Sequence, residues 1–341
     1  MHILIVKMSS LGDVIQTTPV IQDLLRNNPE AKIDWVVEEN FASLIGGLQG
    51  VQRVIPIAQR RWRRSWLSVV TRAEYQQFKA VLREQAYDVV IDVQGLIKSA
   101  WVARLARLSD TGLRYSFGNQ SEACSYEWPV RFMVDRALPM PWRIHAIDRY
   151  RLLCGLAMNY DYAQYAPQVL WEWNAGVSEC MTAAQSGVWL VHGTTRADNE
   201  WPEHQWIAIA KRLIAQGERV VLPQAGKLEQ ARVARIAAHL SEHSEAVCVL
   251  PEMPLDQLAQ CMSLARGVIG VDTGLSHLAV ALNLPHLQIF SQARAFRAGP
   301  QGGAHQVSIG GVNPGDAQPD LNQVWQAWQQ IMQYPSTAPL N

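Results

Sequence analysis

Short, largely apolar runs alternate with segments of helical period along almost the whole chain, and this alternation constrains its fold more than any other feature. In the first half the runs lie at 3–6, 33–37, 51–57 and 88–92. In the second half they lie at 188–192, 219–223, 247–250, 268–271, 287–290 and 307–309. Runs without a polar face suit strands of a parallel sheet covered by helices on both sides. Helical patterns separate them, for example at 206–215, 229–240, 255–265 and 275–282. The alternation predicts α/β architecture with doubly wound sheets. With 341 residues, there is room for two domains of ~150 residues each. We expect a first domain over 1–165, a second over 166–320, and a helix and tail over 321–341 that folds back across the first domain. The loop-like stretch at 159–187 is the expected hinge, and no internal repeat or low-complexity tract is visible.

Composition removes several function classes. Hydrophobic residues make up 48% and charged residues 18%, which is too apolar for a disordered chain. Thirty Lys and Arg balance thirty Asp and Glu, so binding of nucleic acid by bulk electrostatics is disfavoured. The cysteines, Cys124, Cys154, Cys180, Cys248 and Cys261, include no C-x-x-C pair. That argues against a disulfide framework or a zinc site and fits buried, inert thiols in a reducing compartment. The apolar run at 3–6 is too short for a signal-peptide core and Lys7 interrupts it. No run reaches the ~18 apolar residues needed to cross a membrane. A cytoplasmic protein is expected, with neither metal nor cofactor.

In doubly wound sheets, ligands sit beyond the carboxyl ends of the strands, where helix N-termini point. Four segments place polar residues there. VKMSSLGDV (6–14) puts Ser9, Ser10 and Gly12 in a turn and Asp13 at the start of a helix. Asp13 there either caps free backbone N–H groups or does chemistry. Neither G-x-G-x-x-G nor G-x-x-x-x-G-K-[ST] occurs, so hydride transfer and P-loop ATP hydrolysis have little support. VIGVDTGLSHLAVAL (268–282) ends a strand in Asp272-Thr273-Gly274 and opens a helix with His277 in its first turn. Small residues before free helix N–H groups make an anion site, while Asp272 would repel phosphate and suits a sugar hydroxyl. An ordinary turn capped by Thr273 is the plain alternative.

VHGTTRADNEWP (191–202) adds Thr194, Thr195 and Arg196 after another strand. Two such turns in one domain point to a nucleotide diphosphate. AQRRWRRSW (58–66) carries Arg60, Arg61, Arg63 and Arg64 with Trp62 and Trp66 interleaved. Guanidinium forks suit carboxylates and phosphates, and the aromatic neighbours suit a sugar or a membrane interface. A solvated helix face and a small nucleic-acid patch are the alternatives. Glu38 and Glu39 read as a solvated helix start, and His145 and His192 as structural histidines. Lys98 in DVQGLIKSA (92–100) reads as a cleft cation.

Taken together, ILIVKMSSLGDVIQTTP, KIDWVVEE, VIPIAQRRWRRSW, YDVVIDVQGLIKSA, HGTTRADNEWPEHQW and VDTGLSHLAVAL resemble the family 9 glycosyltransferases, most closely their lipopolysaccharide heptosyltransferase I branch. The match in order and spacing runs along nearly the whole chain, although VDTGLSH alone marks only the broader family. The resemblance implies a GT-B fold, two Rossmann-like doubly wound domains facing a central cleft. It implies an inverting, metal-independent transfer of L-glycero-D-manno-heptose from ADP-heptose to the first Kdo of Kdo2-lipid A, in the lipopolysaccharide inner core. By position, it makes Asp13 the general base for the acceptor hydroxyl. Ser10, Gly12, Arg60, Arg61, Arg63, Arg64 and Lys98 are implied on the acceptor side.

On the donor side, the resemblance implies that Thr194, Thr195, Thr273 and Gly274 hold the diphosphate, whose developing charge needs fixed donors. Glu229 takes the ribose, Met253 lies by the adenine, Asp272 meets heptose hydroxyls, and Asn199 and His277 line the pocket. Implied partners are ADP-heptose and Kdo2-lipid A, with neither nucleic acid nor an obligate protein. An acceptor in the inner membrane also implies peripheral contact with its cytoplasmic face, through Trp62, Trp66 and the arginines. The sequence departs from the family at two places. Asn199 stands where the family has a lysine, and SQARAFRAGP (291–300) replaces a Gly-Pro-Thr-Asp type of turn. We expect Arg294 or Arg297 to restore the lost charge. The alternatives are a related transferase with another sugar or acceptor, a nucleotide-sugar epimerase or phosphorylase of the same fold, and a non-catalytic relic.

Overall fold

The computed structural model describes residues 1–173 and 184–334, which fall into two compact units, Met1–Glu172 and Trp173–Asn341. Residues 174–183 of the expected hinge, Cys180 among them, and the tail beyond residue 334 lie outside the described residues.

Among the described residues, each unit is built on a six-stranded sheet in which neighbouring strands pair in parallel. The first contains β1 (His2–Val6), β2 (Lys32–Glu38), β3 (Val51–Ile57), β4 (Ala86–Asp92), β5 (Arg107–Phe117) and β6 (Arg136–Leu138), in the order β3-β2-β1-β4-β5-β6. The second contains β7 (Val188–Val191), β8 (Val220–Leu222), β9 (Val247–Val249), β10 (Gly267–Val271), β11 (His286–Phe290) and β12 (Gln306–Gly310), in the order β12-β11-β10-β7-β8-β9. Read from its other edge, the second order repeats the first. Both are therefore doubly wound sheets of one topology, with no repeat in sequence to announce it. Each has a switch point where the strand order reverses, at β1/β4 and at β7/β10, and ligands favour that place.

Burial explains why the strands were readable. Ile3, Leu4, Ile5 and Val6 of β1 are fully buried, as a parallel strand with helices on both faces requires. Two strands were not anticipated. Along β5 the pairing with β4 jumps from Leu108 to Leu113, so residues 109–112 interrupt the apolar pattern. The edge strand β6 is only three residues long and begins with an arginine.

The helix Leu321–Ile331 starts with a capping box. Asp320 Oδ1 accepts from Asn322 N–H and Gln323 N–H (2.8 and 2.9 Å), and Gln323 reaches back to the Asp320 N–H (2.9 Å). Its stripe of Val324, Trp328 and Ile331 enters the second unit's core beside Trp201, Trp206, Leu287 and Ile289. The sequence pattern predicts that this helix folds back across the first domain. Its apolar face is instead occupied within the second unit.

In the first unit, the helix Ala146–Met158 fixes the geometry that matters below. His145 caps it, with Nδ1 accepting from Ile147 N–H (3.2 Å), and Asn159 ends it in the left-handed region at φ 58°. His145 is thus structural, as expected. A buried pair ties this helix to the helix Pro19–Asn27: Arg151 Nε and Nη2 donate to Asp23 at 2.6 and 3.0 Å. Arg151 Nη2 also donates to the carbonyls of Tyr162 and Tyr165 (3.0 and 2.8 Å).

Candidate active site

The turn after β1 leads into the short helix Leu11–Thr17, with Ser10 at its N-cap. Asp13 stands in the first turn. Its Oδ2 accepts from the Ser10 hydroxyl at 2.8 Å and, weakly, from Ser10 N–H at 3.4 Å. Its Oδ1 accepts from the Tyr150 hydroxyl at 3.0 Å. Asp13 therefore caps its own helix, as the plain reading had it, and is also held on both oxygens at the β1/β4 switch point. The neighbouring turn after β4 is wired to this one. Asp92 Oδ1 accepts from Gln94 and Gly95 N–H, and Gln94 Oε1 accepts from Met8 N–H (2.9 Å).

The arginine segment is a single helical turn, Gln59–Trp62, and it is organised by the two glutamates expected to be solvated. Glu38 is only 3% exposed, and its Oε1 accepts from Arg60 N–H at 2.8 Å. Burial pushes its carboxyl up, against the pull of Arg60 and Lys98. Glu39 and Glu74 share the Arg61 guanidinium (3.0 and 2.7 Å), so Arg61 is committed to this scaffold. The Arg60, Arg63 and Arg64 side chains are exposed and make no hydrogen bond or ion pair with a described residue. Lys98, in the first turn of the helix Ile97–Leu105, joins their field. Burial, with the Arg60 and Arg63 charges, pulls its ammonium below the ordinary lysine value against Glu38 and Glu127. Trp62 does not face outward as expected. It is buried, donates to Glu74 (2.7 Å) and packs edge-on against Tyr75 and Phe78.

In the second unit, β10 ends at Asp272 and Thr273 caps the helix Gly274–Ala281. Asp272 is the hub of this turn. His277 Nε2 and Gln288 Nε2 approach its Oδ1 (each 3.4 Å), and Asn199 Nδ2 approaches its Oδ2 (3.3 Å). Burial alone would push the Asp272 carboxyl up. The His277 hydrogen bond and the positive field of His277, Arg297 and Arg294 outweigh it and hold the carboxyl below its usual value. Asn199 is 3% exposed and braces Asp272. The 291–300 turn closes on the same place, because Gln292 donates to Asp198 O (3.3 Å) and the Arg294 charge acts on Asp198.

The turn after β7 carries Thr194, half-buried, and Thr195, exposed. The positive charge of Arg196 forks onto Asp198 (2.9 and 2.5 Å). Glu229 lies in the first turn of the helix Gly226–Ala238, and its Oε2 accepts from Ala225 N–H (2.8 Å). A Cβ on Gly193 would sit 2.2 Å from Glu229 Oε1, so this approach of carboxylate to turn needs glycine. Met253 is half-buried in the loop after β9, next to Glu252, which accepts from Gln230 (3.3 Å). The fold thus gathers Thr194, Glu229 and Met253 at one end of the β7–β9 half-sheet, and Asn199, Asp272 and His277 at the β7/β10 switch point.

Reading the sequence missed Lys7, Glu38 and Tyr150 as parts of the site. Only Lys7 left a signal, as a cation at the end of an otherwise apolar strand.

Comparison with known proteins identifies the family of the chain. Residues 75–322 match the model of "Glycosyltransferase family 9 (heptosyltransferase)". The lipopolysaccharide heptosyltransferase 1 of Pseudomonas aeruginosa is 37% identical over 316 residues, covering 92% of this chain and 85% of that protein. The enzyme of the same name from Escherichia coli K12 is 36% identical, covering 85% of this chain and 88% of that one. Among solved structures, the E. coli heptosyltransferase WaaC with ADP superposes with a TM-score of 0.82 at 33% identity, over 97% of this chain and all of that one. WaaC with ADP-2-deoxy-2-fluoro heptose gives 0.77 at 34% identity, over 96% and 98%. The two doubly wound parallel units are those of the GT-B fold.

Proposed function

The chain belongs to glycosyltransferase family 9, and from that premise we propose that it transfers heptose from ADP-heptose to the first Kdo of Kdo2-lipid A. The observation that carries this reading is Asp13, a carboxylate held on both oxygens by hydroxyl donors at a switch point. The acceptor hydroxyl attacks the anomeric carbon of the heptose from the face opposite ADP, so the configuration inverts. Its proton passes to Asp13 as the new C–O bond forms. The bond from the anomeric carbon to the diphosphate oxygen breaks, and its electron pair leaves on ADP.

The two cation sets divide the remaining work. Arg60, Arg63, Arg64 and Lys98 gather the carboxylates and phosphates of the acceptor, as planar forks and point charges do. On the donor side, the helix Gly274–Ala281 aims its N-terminus at the diphosphate, with Thr194, Thr195 and Thr273 as donors. Asp272, held ionised, takes heptose hydroxyls, and Glu229 and Met253 take ribose and adenine. Arg294 and Arg297 supply the charge that Asn199 no longer can, and their field already reaches Asp272. Incubation with ADP-heptose and Kdo2-lipid A should increase the acceptor mass by one heptose. A product formed only with another nucleotide sugar, or none at all while ADP still binds, would overturn the reading.

Membrane contact forms part of the same proposal. No described helix is long and apolar enough to cross a membrane. Trp66, Leu67, Val69 and Val70 are exposed, at 52, 82, 80 and 65%, between Arg63 and Arg64 on one side and Arg72 on the other. Apolar side chains among cations suit the interface of an anionic bilayer. Charge reversal at Arg63 and Arg64 should release the protein from anionic vesicles, whereas unchanged partition would remove this part of the reading.

A further inference from the structure

Behind Asp13 runs a chain of buried polar groups that the substrate-binding residues do not account for. Lys7, just past the end of β1, is 3% exposed. Its Nζ donates to Val93 O (3.2 Å) and to the Tyr150 Oη (3.1 Å), and it lies 4.3 Å from the centre of the Tyr150 ring. Tyr150 is 2% exposed, and its hydroxyl reaches Asp13 Oδ1 at 3.0 Å. An ammonium only donates and a carboxylate only accepts. The phenol between them has one hydrogen, so its lone pair faces Lys7 and its hydrogen faces Asp13. The direction of the Tyr150 bond is therefore set by the buried cation behind it.

We propose that Lys7 and Tyr150 are positioning residues for Asp13, a buried relay that orients the carboxylate and keeps it ionised. The proposal rests on the reading of Asp13 as the general base. A donor aimed at a carboxylate favours its charged form, and a donor next to a cation is the stronger for it. Tyr150 fixes one oxygen and Ser10 the other, which sets the carboxylate plane. Neither Lys7 nor Tyr150 needs to touch a substrate for this. The arrangement also explains a buried lysine in the first unit's core, a residue type that is rarely so deep without partners.

Four variants test the relay against wild type: Tyr150→Phe, Lys7→Met, Lys7→Arg and the reference Asp13→Asn. Tyr150→Phe keeps the ring and its contact with the Lys7 ammonium, so the fold should hold. Its kcat should fall by about 10- to 100-fold, in line with loss of alignment, with donor KM unchanged. The acidic limb of its kcat–pH profile should move upward, because Asp13 loses a donor to its charged form. Lys7→Met should shift kcat and the limb in the same direction. Combined with Tyr150→Phe, it should cost little more than the worse single change, as members of one chain do. Lys7→Arg should retain part of the wild-type rate. An unchanged kcat and acidic limb in Tyr150→Phe, with Asp13→Asn inactive, would overturn the relay alone. Wild-type turnover in Asp13→Asn would instead overturn the base assignment on which it rests.

Discussion

The turns carrying Asp13 and Asp272 have the same construction and opposite surroundings. Each follows a strand at its unit's switch point and opens a helix. Asp13 is held by two hydroxyls, from Ser10 and Tyr150. Asp272 is held by an imidazole and two carboxamides, within the field of two arginines. Hydroxyl donors on each oxygen fix the plane of a carboxylate. A carboxylate pulled below its usual range by positive charge is a poor base and a steady acceptor of hydrogen bonds. Strand order therefore sets where a carboxylate sits, and its neighbours decide what it does.

The largest expected effect tests whether the Asp13 turn depends on the helix that brings Tyr150 to it. Arg151→Met leaves Asp23 buried without its bidentate partner, and breaking such a pair costs about 3–5 kcal/mol. In urea unfolding the first unit should lose this much, while the second keeps its midpoint. Equal losses in both units would break the contrast.

Acid should strike the second unit first. Burial, aided by the Arg232 charge, pushes His192 down to about 4, and burial pushes His286 down to about 3. In the unfolded chain both protonate near 6.5. Their contribution to stability is therefore flat above that value and falls as pH drops toward 4, by about 1.4 kcal/mol per pH unit for each histidine. His286→Gln should flatten the slope measured by chemical denaturation between those limits, and an unaltered slope would refute the assignment.

The smallest effect sharpens the donor side of the comparison. Arg294→Ala and Arg297→Ala should each raise donor KM by up to about tenfold, the worth of ~1.4 kcal/mol of lost charge stabilisation. If both leave donor KM unchanged, the 291–300 turn supplies no charge to the donor.

How much of this was legible follows from how local each feature is. Most strands were readable because β1, β7, β10 and β11 are buried on both faces. The interruption at 109–112 hid β5, and nothing local marks β6. Asp13, Asp272 and Thr273 were readable because a strand-to-helix turn is a contiguous pattern. Tyr150 was not, since it meets Asp13 across 137 residues on a helix with no unusual composition. Trp62 and Glu38 were misread because their burial depends on the helix Val69–Glu84 and on the arginine turn folding over β2. The bracing of Asp272 by Asn199 becomes visible only once the two turns are adjacent.

The central claim is that Asp13 takes the acceptor proton during heptosyl transfer. ADP release from ADP-heptose, with and without Kdo2-lipid A, tests it in wild type and Asp13→Asn. We expect release to depend on acceptor in wild type and to fall by about 10²- to 10⁴-fold in the variant, with ADP affinity retained. Acceptor-dependent release at the wild-type rate in Asp13→Asn would contradict the account.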